Sequence, residues 1–144
     1  MVIRVAGVYG VETAAPLPLP LFTARVAAGF PSPADDHLEG KLDLNEHLVR
    51  HPAATFFVRV AGHSMVGAGI RDGDLLVVDR ALPPADGHVV IAVVNGEMTV
   101  KRIRKKDGKV FLVPDNPDYP TLPIGGEESV EVWGVVTSVI HSLL

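Results

Sequence analysis

Two pairs of residues, Asn95-Gly96 and Asp107-Gly108, constrain this chain more than any other feature. Each sits between short apolar-rich runs, "HVVIAVV" and "EMTVKRI" around the first, "KRIRKK" and "KVFLVP" around the second. A two-residue hairpin loop commonly needs positive φ, which Asn-Gly and Asp-Gly tolerate best. The spacing therefore predicts two successive hairpins and three neighbouring antiparallel strands. "TFFVRV", "DLLVVD" and "VEVWGVVTSVIH" add strand signals, and Gly134 within the last marks a bend or bulge. Fourteen glycines and twelve prolines, with only 6% aromatic residues, favour short strands and turns over a helical bundle.

Residues 1–40 read differently. Five prolines, Pro16, Pro18, Pro20, Pro31 and Pro33, fix φ and remove backbone donors, so this stretch is neither a regular helix nor a central strand. "AAPLPLPLF" is too apolar for a solvated linker and is expected to lie against a protein surface. A short helix is predicted in "DLNEHLVRHP", with Asp43 as N-cap, Glu46 three residues on and Pro52 as its end. The reading is a compact, mostly antiparallel β domain over 41–144 carrying an extended N-terminal arm over 1–40.

Composition removes several classes of function. With no cysteine there is no disulfide framework, thiolate metal site or cysteine nucleophile. A net charge of −4 argues against nonspecific binding of nucleic acid, and direct DNA contact is not expected. No run approaches the roughly 18 apolar residues of a membrane span, and prolines break the start of the chain where a leader would be unbroken. A cytoplasmic protein is expected. Asp72, Asp74 and Asp79 flank a glycine turn and a strand without a calcium-loop pattern, so they read as turn and strand-end residues and no metal is expected. Trp133 reads as core.

Ser64 reads either as an ordinary residue of a Gly-rich turn or as a nucleophile. Ser64, in "GHSMVGAGIRDG", needs a base to take its proton. His63 is adjacent, but neighbouring side chains of an extended segment point apart, and none of the other five histidines shows a partner pattern. Lys101 is the other choice: it shares a strand face with Thr99 and Ile103, and burial would favour its neutral, basic form. Equally, the basic run from Lys101 to Lys109 reads as a solvated hairpin. The residues alone leave both readings open.

"AAGFPSPADD", "GHSM", "DGDLLVVD", "TVKRI" and "WGVV", in this order, resemble the LexA/UmuD family of self-cleaving serine peptidases. The resemblance runs from about Phe22 to the C-terminus. It implies the family's β-rich peptidase fold, with Ser64 as nucleophile and Lys101 as its general base. It also implies a scissile bond at Ala28-Gly29, with the backbone N–H groups of His63 and Ser64 as oxyanion donors, and no cofactor. Ala28 departs from members with cysteine before the glycine but matches the Ala-Gly pair of the repressors. The implied role is in the SOS response to DNA damage. Cleavage is promoted by a RecA filament on single-stranded DNA, and the trimmed homodimer joins a Y-family (UmuC-like) polymerase for translesion synthesis. The alternatives are a LexA-like regulator, a Ser-Lys signal peptidase and a noncatalytic module of the same fold. The 28 residues before the scissile bond are too few and too proline-rich for a helix-turn-helix, which disfavours the repressor. The missing anchor disfavours the signal peptidase.

Overall fold

In the computed structural model, which describes residues 3–11, 15–22, 38–123 and 130–144, both expected hairpins close through left-handed loop residues. Asn95 and Gly96 have φ of 50° and 83°, Asp107 and Gly108 of 52° and 74°. In chain order the elements are β1 (Arg4–Gly10), β2 (Pro18–Phe22), β3 (Leu38–Asp43), α1 (Leu44–Leu48), β4 (Thr55–Ala61) and β5 (Leu75–Asp79). There follow β6 (Val89–Val94), β7 (Glu97–Lys106), β8 (Lys109–Val113), β9 (Leu122–Pro123) and β10 (Val130–Ile140). The main sheet runs β1-β4-β5-β10-β6-β7-β8-β9 with antiparallel neighbours throughout, and β2 pairs with β3 in a separate ribbon. The expected mostly antiparallel β fold is the one observed.

The continuous apolar runs become the centre of the sheet. Leu76, Val77 and Val78 of β5, and Val90, Ile91 and Ala92 of β6, are all fully buried. Burial on both faces of a strand is what an unbroken apolar run permits and an alternating one does not. One core cluster gathers Val58, Val60, Met65, Leu76, Val78, Ile91 and Val100; another gathers Val90, Ala92, Ile103, Leu112 and Val135. Trp133 packs partly buried against the first, between Phe56 (ring centroids 5.3 Å apart) and the Arg80 guanidinium, 4.5 Å above its ring.

Local signals are met at α1, a five-residue helix whose N-cap Asp43 accepts a hydrogen bond from Asn45 N–H at 3.0 Å. Pro52 opens a 3₁₀ turn that leads into β4. The prolines of β2 sit in a two-stranded ribbon, where a missing donor is tolerated. The start of the chain supplies a strand the sequence reading did not identify. Arg4–Gly10 pairs with β4, so this part of the 1–40 segment is a strand of the main sheet.

Gly134 is where β10 changes partners. The register against β6 shifts between Val132 and Gly134, and that against β5 between Val136 and Ser138, so the strand bends across both neighbours. A Cβ at Gly134 would lie 2.7 Å from Cγ1 of Val78, a fully buried side chain with no room to yield. Gly134→Ala is expected to destabilise the fold by about 1–3 kcal/mol, the usual cost of overpacking, in urea unfolding at neutral pH.

Candidate active site

Ser64 lies in the loop that follows β4, and its position is determined by several glycines and a clamp from outside the loop. Gly62 takes φ of 107°, and its N–H donates to Asp72 Oδ1 at 2.9 Å, so the chain turns sharply after Ala61. A 3₁₀ turn over Val66–Ala68 follows Ser64 and is capped by left-handed Gly69. Gly67 N–H donates to the Asp115 carbonyl at 2.7 Å. A Cβ at Gly67 would stand 2.5 Å from that oxygen, so only glycine permits the approach.

The clamp comes from the segment after β8. Asn116 Nδ2 donates to the His63 carbonyl at 3.0 Å, and Asp115 N–H donates to Met65 Sδ at 3.3 Å. The Asp115 carboxylate is gripped by Arg102, whose Nε donates to Oδ2 at 2.9 Å and whose Nη2 also bonds Oδ2. Those hydrogen bonds raise the Arg102 pKa beyond its already high value, and Arg102 Nη1 donates to the Gly87 carbonyl at 2.7 Å. Arg102 is the residue after Lys101, so the serine loop and the lysine strand are tied together by one planar, bidentate ion pair.

Ser64 is fully buried and Lys101 is 8% exposed, whereas the His63 side chain is exposed. Lys101 stands on β7 between Thr99 and Ile103 and opposite Val90 of β6. Burial among these groups lowers its pKa, because the ammonium loses hydration. β8 pairs with β7 from Arg102 onward, so the edge of β7 at Thr99 faces the start of the chain. There Ile3 joins the two halves of the site. Its N–H donates to Ser64 Oγ at 3.2 Å and its carbonyl accepts from Thr99 Oγ1 at 3.0 Å. Thr99 is two positions from Lys101.

Histidine pairs lie elsewhere. His51 Nδ1 meets Asp79 Oδ2 at 2.6 Å, and His141 Nδ1 meets Asp74 Oδ1 at 2.5 Å, so each end of β5 is bracketed by a buried carboxylate facing a histidine. Asp72, Asp74 and Asp79 also accept from backbone N–H groups of Gly62, Arg71 and Ala81, which accounts for them as turn and strand-end residues. In the basic run, Arg104, Lys105, Lys106 and Lys109 are exposed while Lys101 and Arg102 turn inward. Ala28 and Gly29 lie outside the described residues. Ile3, Arg102, Asp115 and Asn116 were not singled out from sequence; "VPDNPDYP" reads as a turn, and no local signal ties it to the serine.

The fold is a mostly antiparallel sheet in which Ser64 and Lys101 are both buried and Ile3 hydrogen-bonds to Ser64 and to Thr99. The model of the Peptidase S24-like family matches residues 20–137. Protein SamA of Salmonella typhimurium is 53% identical over 122 residues, 85% of this chain and 84% of SamA. Protein MucA of Escherichia coli is 47% identical over 127 residues, 88% of this chain and 84% of MucA. The LexA repressor of Paracidovorax citrulli is 38% identical over 128 residues, 89% of this chain but 56% of the repressor. The chain belongs to the S24 peptidases, as a UmuD-like member of the LexA/UmuD family. Among the described residues no helix is long and apolar enough to cross a membrane.

The lowered pKa of Lys101 has a consequence for stability. In the unfolded chain the lysine stays protonated up to its ordinary value of 10.5; in the folded chain it releases the proton at lower pH. Between those two values unfolding takes up a proton, so this group makes stability rise with pH across that window. Below the window both states are charged and the folded state carries the full desolvation penalty. Lys101→Met is therefore expected to raise stability at pH 7 relative to the parent and to remove that alkaline rise, as measured by urea unfolding from pH 6 to 10.

Proposed function

We propose that this chain cuts itself between Ala28 and Gly29 with a Ser64–Lys101 dyad. The observation that carries the reading is the placement of peptide main chain on the serine. Ile3 N–H reaches the buried Ser64 hydroxyl, while its carbonyl reaches β7 two positions from buried Lys101. Main chain seated on a buried hydroxyl, beside a strand that carries an amine whose charged form is disfavoured, supports a peptide substrate. Membership of a peptidase family supports it.

The chemistry follows from the residues. Neutral Lys101 takes the Ser64 proton as Oγ attacks the Ala28 carbonyl carbon. The backbone N–H groups of His63 and Ser64 receive the developing oxyanion, in a loop already braced by Asn116 and Asp115. As the C–N bond to Gly29 breaks, the Lys101 ammonium returns its proton to the leaving amine. Water then adds to the Ala28 ester with Lys101 again as base, releasing residues 1–28 and freeing Ser64.

The proposal extends to the setting. Identities of 53% to SamA and 47% to MucA, against 38% to a LexA repressor, favour a UmuD-like SOS-mutagenesis role over an operator-binding one. In this role a RecA filament promotes the cut in a cytoplasmic homodimer, and the trimmed form joins a UmuC-like Y-family polymerase.

Burial of Lys101 sets the pH dependence. Well below the lysine pKa, the neutral fraction and the cleavage rate rise about tenfold per pH unit, levelling off below the range of an ordinary lysine. Incubating the purified chain from pH 7 to 10 with mass spectrometry is expected to yield a fragment beginning at Gly29. Ser64→Ala and Lys101→Ala are each expected to slow it by on the order of 100- to 10,000-fold. Unchanged cleavage in Ser64→Ala, or a different new N-terminus, would refute the assignment.

A further inference from the structure

We propose that β1 and the Ile3 that leads into it are a resident competitor of the substrate: β1 occupies the β4 edge, and Ile3 the seat on Ser64, that the cleavage segment needs. This inference rests on the self-cleavage reading and adds what restrains it.

The anchor is concentrated at one end of β1. The Ile3 side chain is fully buried in the cluster with Val58, Val60, Met65 and Val100, and Val5 packs partly buried against it. Beyond that point side-chain burial is slight: Val8 and Tyr9 are 40% and 56% exposed, and Arg4, Ala6 and Gly10 are exposed. A register shift between Val5 and Gly7 breaks the ladder with β4. β1 is thus held by main-chain pairing and one apolar plug, which suits a strand that must leave.

Its position excludes a reacting bond. A carbonyl carbon under attack must lie about 3–3.5 Å from the nucleophile. The Ile3 nitrogen already stands 3.2 Å from Ser64 Oγ. Two main chains cannot share that shell. The edge of β4 away from β5 is likewise taken by β1, so a second strand cannot add there by edge pairing until β1 departs. β1 also precedes Ala28, so the proposed cut severs the strand from the domain it covers. The opened edge and the Ile3 seat then form a surface for an extended segment led by an aliphatic side chain.

Two variants test this in the full chain. Ile3→Asp replaces the plug with a carboxylate that cannot stay buried, and is expected to speed alkaline cleavage by about tenfold or more. Tyr9 and Phe57 are directly paired across β1 and β4, within the range a disulfide spans, and the chain has no other cysteine. The double variant Tyr9→Cys/Phe57→Cys is expected to cleave at least tenfold more slowly oxidised than reduced. Equal rates in the two redox states, or slower cleavage in Ile3→Asp, would overturn the proposal. A third measurement does not depend on cleavage: Ser64→Cys with and without Ile3→Asp, alkylated with iodoacetamide. Faster alkylation on loss of Ile3, with no variant cleaving, would leave β1 as the cover and refute the self-cleavage reading. Unchanged alkylation would refute the cover itself.

Discussion

Burial of Lys101 is the constraint around which the site is built. Lys101, a residue 8% exposed that stands opposite Val90 and two positions from Ile103, is short of the hydration that favours its charge, so its proton is held less tightly than that of an ordinary lysine. The sheet maintains this environment. β6 and β7 are joined by a two-residue loop that fixes their register, which puts Val90 opposite Lys101. The next residue, Arg102, points to a different partner and pulls Asp115 toward the serine loop. One strand therefore supplies both the proposed base and the tie that positions the proposed nucleophile.

That tie explains the glycine-rich composition around Ser64 better than flexibility does. Gly62 provides a left-handed turn and Gly67 lets the Asp115 carbonyl approach to hydrogen-bond distance, while Asn116 holds the His63 carbonyl. Two contacts from one short segment hold the backbone on both sides of Ser64. A loop restrained in this way keeps its N–H groups oriented before a substrate arrives, which is how preorganised donors contribute most. In the proposed self-cleavage what then governs the rate is access, and the group seated on Ser64 Oγ is the N–H of Ile3, just ahead of β1.

Much of the fold could be read from local chemistry. Asn95-Gly96 and Asp107-Gly108 identified two hairpins because their φ requirement is local, and Asp43 identified α1 through its side-chain cap. The apolar runs of β5 and β6 identified strands without revealing their order in the sheet. β1 and β3 were not legible: "RVAGVYG" and "LEGKLD" carry glycine and charge, and they are strands because of partners distant in sequence. At the site, Ser64 and Lys101 could be named only through resemblance, since a lysine in "KRIRKK" looks like its three exposed neighbours. Ile3 and Asp115 act through contacts 61 and 13 residues away, a distance over which sequence pattern carries no information.

The account stands on the protonation of one amine, and that can be observed directly. In the Ser64→Ala chain, which is expected not to cut itself, selective ¹³C labelling of lysine allows the Lys101 Cε resonance to be followed against pH by NMR. The account predicts a Lys101 midpoint below the ordinary lysine value of 10.5. A Lys101 midpoint at or above 10.5 would contradict the central claim that burial makes this lysine a base.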